Sequence, residues 1–397
     1  MKNEPNIRIK GFEGEWKECT FNNLVDRISS YSSSKSLPTV EFEDIISGEN
    51  RLNKDVYSKP IHKGGIAFEK NDVLFGKLRP YLKNILFATF NGIAVGDFWV
   101  LRANESYPAF VYTLVNNKSF MNVANISSGS KMPRADWNLV SKHKFLVPSF
   151  FEQRAIATYF RHLDSLIEIA DKKVASLKQV KEASLQSMFP KEGQKVPEVR
   201  FKGFDGEWKI SKLSTFAKRV TRKNGNLETE LPVTISSQDG IIAQTQFFNS
   251  VVASSNLRGY YLIKKGEFAY NKSYSNGYPY GSVKRLEKYD MGALSTLYIV
   301  FALSKDIDHD YVIYFFETML WHNEVAMRAA EGARNHGLLN IGADDFLDIQ
   351  IIVPPILSEQ RKIASFFVHL DKQIAIAQQR LDLLRRIKDA CLDEMFV

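Results

Sequence analysis

The stretch EQRAIATYFRHLD, residues 152–164, returns later in the chain as EQRKIASFFVHLD, residues 359–371. The copies are 207 residues apart, and the match continues without a gap to the Met-Phe pairs at 188–189 and 395–396. Ungapped matches of this length indicate a duplication. The chain is therefore a tandem repeat of one unit of about 200 residues, which excludes solenoids built from repeats of roughly 20 to 50 residues.

A second phrase marks the start of each repeat. GFEGEWK at 11–17 reappears as GFDGEWK at 203–209, 192 residues further on. Since the tails are 207 residues apart, the block between phrase and tail is 15 residues longer in the second repeat. Each repeat thus has matching ends around a block that differs. The predicted segments are a first variable domain at 1–149, a long helix at 150–189, a linker at 190–200, a second variable domain at 201–355 and a second long helix at 356–397.

The repeated tails carry the apolar rhythm of a coiled coil. Spacings of three and four residues alternate, an average of about 3.5 that keeps one stripe of a helix facing a partner. We predict that each tail is one helix, roughly 60 Å long, and that the two pair with each other, antiparallel if a two-fold axis relates the repeats. Packing of each helix on its own domain is the alternative. The predicted seam residues are Ile156, Phe160, Leu163, Ile167, Val174, Leu177, Ile363, Phe367, Leu370, Ile374, Leu381 and Leu384.

The seam becomes polar at the same place in both tails, where Lys181 and Lys388 interrupt the apolar run. A polar residue in a coiled-coil seam can fix the register of the two helices at a cost in stability. The shared interruption therefore indicates either a position that sets the register or a place where another subunit docks.

The charge balance favours an anionic partner. The net charge is +8, and the two tails contribute about +2 of it, so an excess of about +6 lies outside them. Basic surfaces attract nucleic acid, although many basic proteins bind none. The distribution of charge points to the variable domains, rather than the tails, as the part that would contact such a ligand.

Export and membrane insertion do not fit the sequence. There is no run of 18 apolar residues, and the first residues lack the apolar core of a signal peptide, so we predict a cytoplasmic protein that does not contact a membrane. The cysteines, Cys19 and Cys391, are only two and lie far apart. This usage fits a reducing compartment and excludes a cysteine-based metal site. We predict no metal site in this chain.

The variable domains read as mixed strands and helices, and one motif aligns between them. DVLFGK at 72–77 matches EFAYNK at 267–272 in its acidic start, hydrophobic centre and final lysine. The later loops at 127–137 and 329–339 combine small residues with basic and amide side chains. Lys and Arg contact phosphates and guanine edges, Asn contacts adenine, and small residues permit close approach. The predicted DNA-binding residues are Lys77, Arg79, Lys83, Lys131, Arg134, Lys272, Tyr274, Arg334, Asn335 and His336; for any one of them a solvated surface loop is the alternative.

Signals for catalysis are weak. The EWK of each opening phrase has the Glu-x-Lys form of metal-dependent nucleases, in which the carboxylate binds the metal and the lysine contacts the phosphate. The upstream acidic residues that such a site needs are missing. We favour a structural role in which Trp16 and Trp208 close each domain against a helix end. No Walker lysine loop or dinucleotide fingerprint is present, and we predict no catalytic residue.

Together these motifs resemble the specificity subunit of type I restriction-modification systems. The KGFxGEWK opening, the DVLFxK-like centre and the EQRxIAxxFxHLD helix ending in MF cover nearly the whole chain, and the paired tails are the most specific part. The resemblance implies an α+β fold with two homologous target recognition domains of mixed strands and helices. Two long repeated helices would join them as an antiparallel coiled coil with pseudo-two-fold symmetry.

The resemblance also implies a function. Such a subunit is no enzyme by itself: it reads a bipartite, asymmetric site in double-stranded DNA and directs partner subunits to it. Two modification subunits would methylate adenine with S-adenosylmethionine, and restriction/translocase subunits would consume ATP with Mg²⁺, while this chain itself would hold no cofactor. Two other interpretations stay open, a protein-protein adaptor with a coiled-coil core and a metal-dependent nuclease.

Overall fold

The computed structural model describes residues 4–59, 63–126, 132–248, 252–253, 256–275, 277–329 and 339–396. The contacts within the chain divide it into two compact units. The first unit combines residues 1–173 with 377–397, and the second unit contains residues 174–376. Each unit therefore holds one variable domain together with a part of each long helix.

The first repeat is a series of short strands followed by helices. Its strands are β1 (Lys17–Thr20), β2 (Val25–Ile28), β3 (Tyr31–Ser32), β4 (Thr39–Val40), β5 (Ile45–Ile46), β6 (Arg51–Leu52), β7 (Gly65–Phe68), β8 (Val73–Gly76), β9 (Ile85–Phe87), β10 (Gly92–Ala94), β11 (Phe98–Ala103) and β12 (Lys144–Val147). Its helices are α1 (Phe21–Leu24), α2 (Pro108–Asn116), α3 (Lys118–Ala124), α4 (Trp137–Lys142) and the long α5 (Phe150–Met188).

The second repeat follows the same plan. Its strands are β13 (Lys209–Lys212), β14 (Ala217–Arg219), β15 (Pro232–Ser236), β16 (Gly240–Ala243), β17 (Tyr261–Lys264), β18 (Phe268–Asn271), β19 (Ser282–Arg285), β20 (Met291–Leu294), β21 (Ile299–Leu303) and β22 (Gln350–Val353). Its helices are α6 (Gln244–Phe248), α7 (His309–Phe315), α8 (His322–Arg328), α9 (Ala343–Leu347) and the long α10 (Leu357–Glu394).

Each variable domain is built on two four-stranded sheets. In the first unit the strand orders are β2-β11-β8-β9 and β3-β7-β10-β4, and in the second unit β14-β21-β18-β19 and β16-β15-β20-β17. In both units a parallel pair, β10 with β4 or β20 with β15, lies beside an antiparallel strand, β7 or β17. The fourth strand differs, because β3 pairs with β7 whereas β16 pairs with β15. The domains therefore share a core and differ at a sheet edge.

The central strands are buried on both faces, which explains their apolar sequences. In β8, Val73 and Phe75 face the core that contains α2 and α3, whereas Leu74 faces the core between the two sheets. The matching strand β18 alternates in the same way between its two cores. Because successive residues of a strand point to opposite faces, a strand between two cores has little room for polar side chains.

The two long helices run antiparallel within each unit. In the first unit the ring of Phe160, near the start of α5, lies 6.3 Å from that of Phe396, just after the end of α10. In the second unit the ring of Phe189, just after the end of α5, lies 6.2 Å from that of Phe367, near the start of α10. The predicted α+β class, with two mixed domains and two long helices, is confirmed.

An arginine just before each opening phrase ties the phrase to a long helix. In the first unit Arg8 donates to both carboxylate oxygens of Glu152 at 2.8 Å and to the carbonyl of Gly14 at 2.7 Å. In the second unit Arg200 donates to Glu359 at 2.7 and 2.9 Å and to the carbonyl of the matching glycine. The two glutamate side chains are 2% and 1% exposed. A carboxylate buried this deeply needs a paired cation.

The glutamine that follows each glutamate holds the variable domain to the same helix. Gln153 accepts a hydrogen bond from the backbone N–H of Tyr107 at 2.9 Å and donates to the carbonyl of Pro148 at 3.1 Å. Gln360 makes the equivalent two bonds in the second unit. The Glu-Gln dipeptide at the start of each long helix therefore binds three other segments. These are the opening phrase, the end of the preceding strand, and the amino-terminal end of α2 or α7 in the variable domain.

The repeated Met-Phe pair closes the core on the tryptophan of an opening phrase. The Phe396 ring packs edge-on against Trp16 at 6.2 Å, and the Phe189 ring packs edge-on against Trp208 at 6.1 Å. Both tryptophans are buried. The structural role favoured for EWK is thus observed, and each tryptophan meets the end of the helix that belongs to the other repeat.

We predict that Glu359→Ala lowers the urea midpoint of the second unit. The substitution leaves Arg200 without its anion and removes an acceptor for the Trp208 indole N–H, 3.3 Å away. Removing one partner of a buried pair costs about 3 kcal/mol or more, which tryptophan fluorescence during urea unfolding would detect. The control is Glu207→Ala, which removes only an exposed pair with Lys195. Equal midpoints for the two variants would contradict the role of the buried pair.

Candidate nucleic-acid interface

The first hairpin loop, residues 77–84, connects β8 to β9 and contacts a second predicted loop. The backbone N–H of Ala135 donates to the carbonyl of Lys77 at 2.9 Å, and the N–H of Arg79 donates to the carbonyl of Pro133 at 2.8 Å. Two segments that are far apart in sequence therefore lie side by side. The fold brings together Lys77, Arg79 and Arg134, three of the predicted DNA-binding residues.

A carboxylate orients part of this cationic cluster. Arg134 donates to Asp97 at 2.9 and 3.3 Å, and the Lys77 ammonium lies 3.5 Å from the same carboxylate. Burial alone would raise the pKa of Asp97, but the hydrogen bond and charge of Arg134, together with the charge of Lys77, hold that pKa below its ordinary value. Asp97 therefore stays ionised and fixes the direction of Arg134. Arg79 is exposed and Lys83 is half-buried, so the cluster as a whole keeps an excess of positive charge.

The second hairpin loop, residues 272–281, occupies the matching place between β18 and β19. The backbone N–H of Leu339 donates to the carbonyl of Lys272 at 2.9 Å, as Ala135 does to Lys77 in the first unit. Tyr274 is 55% exposed. The loop is held from below by the hydroxyl of Tyr270, which donates to the carbonyl of Tyr280 at 2.8 Å. Lys272 and Tyr274 thus stand in the loop that corresponds to the first cluster.

The remaining predicted DNA-binding residues, Lys131, Arg334, Asn335 and His336, lie outside the described residues. In both units the first described residues after them, 132–135 and 339, meet a hairpin loop. The assignment of these four side chains to DNA stays a prediction.

The acidic residue of the aligned motif has a structural role that the sequence did not reveal. Asp72 accepts two hydrogen bonds from Arg102, at 2.9 and 2.8 Å, and one from the backbone N–H of Glu69 at 2.7 Å. Glu267 is bound in the same way by Arg222, at 2.9 and 2.8 Å. The residue caps the turn before the central strand and pairs with an arginine, which accounts for its presence in both repeats.

The predicted seam residues differ in burial along the helices. Most are buried: Ile156, Phe160, Leu163, Val174, Leu177, Ile363, Phe367, Leu370 and Leu381. Three are half-buried: Ile167, Ile374 and Leu384. Ile156, Phe160, Ile363 and Phe367, in the amino-terminal part of each helix, share a core with the variable domain, and Leu381, further along α10, is buried as deeply as Ile363.

The polar interruption of the seam is an ion pair between the two helices in each unit. The Lys388 ammonium lies 2.6 Å from Asp164, and the Lys181 ammonium lies 2.7 Å from Asp371. A tyrosine of the variable domain donates to the same aspartate, at 3.4 Å in the first unit and 2.9 Å in the second. Burial and the charge of Asp371 raise the pKa of Tyr314, so its hydroxyl remains a donor. These pairs support the interpretation that the interruption sets the register.

A set of exposed apolar residues recurs on the long helices, and sequence reasoning missed it. We call Ile169, Val180, Ile376 and Ile387 the outer stripe; they are 62%, 46%, 67% and 36% exposed. Each α10 member follows its α5 counterpart by 207 residues. The two members on a helix are 11 residues apart, and each unit contains one member from each helix. The signal was available as apolar matches between the tails at positions outside the seam.

The Glu-x-Lys motif does not form a metal site within the described residues. Glu15 and Glu207 are exposed, and Glu207 pairs with Lys195 at 3.0 Å. In the part of the chain that the structure describes, no group of three or more acidic, histidine or cysteine side chains could hold a metal ion.

A helix that crosses a bilayer needs about 20 predominantly apolar residues in succession. Across the described ranges, none of the helices combines the length and apolar character that crossing a membrane requires.

Comparisons with known proteins agree with this geometry. A family model for the type I restriction modification DNA specificity domain matches residues 207–386. The S subunit of a type I restriction-modification system from M. genitalium matches the fold with a TM-score of 0.59 at 14% identity, over 99% of each chain. A chain from a structural study of complex assembly and conformational transition in a type I R-M system matches with a TM-score of 0.52 at 18% identity, over 95% of this chain and 96% of the other. No curated protein matches the sequence.

We predict opposite effects of two substitutions on duplex DNA binding by the full chain. Arg134→Ala removes a cation, so binding weakens and the slope of log affinity against log salt falls by about 1. Asp97→Asn removes the competing anion, so binding strengthens. Fluorescence anisotropy of a labelled duplex between about 50 and 200 mM salt would measure both.

The control for that pair is Glu43→Gln, which makes the same charge change at an exposed position whose ion pair with Lys54 is loose, at 3.7 Å. If Glu43→Gln strengthened binding as much as Asp97→Asn, net charge alone would explain the result. A local role for the cluster requires that Asp97→Asn has the larger effect.

Proposed function

We propose that this chain is a specificity subunit of a type I restriction-modification system, the family whose DNA specificity domain matches residues 207–386, and that its two variable domains read the two halves of one split DNA site. The observation that carries the proposal is the matched pair of hairpin loops. In each unit a lysine opens the loop, and the end of a second loop returns to that lysine. The same arrangement of two loops is thus built twice on the same core, which supports two equivalent DNA-reading surfaces.

The two half-sites are expected to differ. The domains share their sheet cores but differ in loop length, in the edge strand and in the side chains of the hairpin loops. Lysine and arginine contacts to phosphates would position each domain, and the loop side chains would choose bases. A site read by two different domains has no dyad symmetry, so the proposed target is asymmetric.

The outer stripe supports two identical partner chains. A single exposed apolar residue is common on protein surfaces, but a group of them marks an interaction surface. This set occurs at equivalent positions on α5 and α10. A duplicated docking surface suits two copies of one subunit. We assign it to the modification subunits, which would carry S-adenosylmethionine and methylate adenine, with ATP and Mg²⁺ used by restriction/translocase subunits. The chemistry belongs to these partners, and the complex would work in the cytoplasm on double-stranded DNA.

The function is tested by mapping methylated adenines in the host genome with and without this gene. We expect one split, asymmetric motif to lose methylation when the gene is deleted and to regain it on complementation. A Glu359→Ala gene is the negative control. It retains the hairpin loops but lacks the buried ion pair that stabilises the second unit, so it is expected not to restore methylation. An unchanged methylome in a host whose modification subunits are expressed would contradict the proposal and favour the adaptor interpretation.

We predict that the double variant Ile169→Ser with Ile376→Ser loses its methyltransferase partner. Each of the two partner copies would lose one buried isoleucine, which removes roughly 2 kcal/mol of apolar burial per copy, a weakening of about thirtyfold for each. Co-purification of the tagged chain with co-expressed modification subunit, followed by analytical ultracentrifugation, would measure it. The control, Gln179→Ser with Gln379→Ser, changes exposed residues of the same helices that are not members of the stripe. Retention of the partner by the isoleucine variant would refute the assignment of the stripe.

A further inference from the structure

We propose that Tyr81 and Leu82, at the tip of the first hairpin loop, form an apolar wedge that enters a base step of the half-site read by the first unit. The inference rests on the proposed function and adds to it the residues that would deform the DNA. Tyr81 is 56% exposed and Leu82 is 37% exposed. Two large apolar residues that are neighbours in the sequence are therefore exposed between two cationic residues, Arg79 and Lys83.

The backbone around this tip is held in a disfavoured conformation. Residues Pro80–Leu82 form one turn of 3₁₀ helix between Arg79 (φ 50°, ψ 62°) and Lys83 (φ 51°, ψ 48°), both left-handed. Residues that carry a Cβ rarely adopt this region, and such strain is concentrated at binding sites. In the second hairpin loop the positive φ angles lie at Gly277 and Gly281 instead. The first loop therefore places long cationic side chains where glycine would be less strained.

Hydrogen bonds from neighbouring segments hold the turn in place. The backbone N–H of Gly48 donates to the carbonyl of Lys83 at 3.3 Å, and the hydroxyl of Ser47 donates to the side-chain oxygen of Asn84 at 2.8 Å. The bond from Arg79 to residue 133, described above, holds the other side of the turn. A tip that is already ordered loses little conformational freedom when it binds. Such a tip can keep its shape while it displaces stacked bases.

The charges around the tip favour DNA as its binding partner. Arg79 and Lys83 directly flank the turn that carries the two apolar side chains, while Lys77, at the start of the loop, and Arg134 both pair with the carboxylate of Asp97. A base step has the complementary pattern, because its stacked apolar bases lie between two anionic backbones. Apolar side chains that enter a step unstack it and bend the duplex, while flanking cations bind the phosphates. A surface that bound phosphates alone would gain nothing from an exposed Tyr-Leu pair.

The test compares Tyr81→Ala and Leu82→Ala with Tyr57→Ala in the full chain bound to its modification subunits. Tyr57 is a matched control, since it lies on another one-turn helix of the same domain, Val56–Ser58, and is 64% exposed. The duplexes carry the methylated motif found in the host, either intact or with one half-site scrambled. Binding is measured at several salt concentrations, and 2-aminopurine placed along the half-site reports unstacking.

We expect Tyr81→Ala and Leu82→Ala each to weaken binding to the intact site by about tenfold, with the salt slope unchanged because no phosphate contact is lost. Their effect is expected to vanish when the half-site of the first unit is scrambled. The wild-type complex is expected to raise 2-aminopurine fluorescence at one step, and the Tyr81→Ala complex is not. Arg79→Ala, by contrast, is expected to lower the salt slope by about 1.

Two outcomes would overturn the inference, and they are distinguishable. If the wild-type complex binds the site and both tip variants behave like Tyr57→Ala, the wedge is wrong and the proposed function stands. If the wild-type complex discriminates no duplex sequence, the proposed function fails and the wedge fails with it. Melting temperatures of the variants close to that of the wild type would show that a loss of DNA binding does not come from misfolding.

Discussion

The buried ion pair between an arginine and the first turn of a long helix is the constraint on which each unit depends. The guanidinium of Arg8 binds the carboxylate of Glu152 and the carbonyl of Gly14 at once. Gly14 can present that carbonyl because its φ is 86°, a conformation that favours glycine. Because a buried charge must remain paired, the opening phrase and the helix cannot shift relative to each other. Both ends of the variable domain must therefore lie at this ion pair, whatever the sequence between them.

This constraint explains what could be predicted from the sequence. The residues that close each unit recur in both repeats, so the duplication, the long helices and the role of the tryptophans were visible as matching letters. The sheet topology was not visible in the sequence, since the parallel pairing of β10 with β4 joins segments about 50 residues apart. The pairing of Arg134 with Asp97 is equally tertiary, and no local pattern announces it. The acidic residue of DVLFGK was seen, but its arginine partner lies 30 positions away.

The candidate site was predictable in type rather than in detail. Basic residues around Lys77 were identified because they follow an aligned motif, and the fold joins them to residue 134 through backbone hydrogen bonds. The strained angles at Arg79 and Lys83 have no signature in the sequence, because left-handed positions are usually recognised by glycine or asparagine. The same limit applies to the outer stripe, whose meaning depends on knowing which helical positions are exposed.

The two variable domains contact the long helices through different ion pairs. In the first unit Arg51 pairs with Asp171 at 3.0 Å, a contact made by the β5–β6 hairpin. In the second unit Glu317, just after α7, pairs with Lys181 at 2.7 Å. The Lys–Asp pairs between the helices are nevertheless the same in both units. The scaffold thus accepts different domains through contacts that leave the helix seam unaltered.

The first unit is assembled from distant parts of the chain, residues 1–173 and 377–397, whereas the second is continuous. The core of the first unit includes Leu392, Met395 and Phe396, which the ribosome adds after everything else in that core. The core of the first unit therefore needs the last turn of α10, whereas the second unit needs no residue beyond 376.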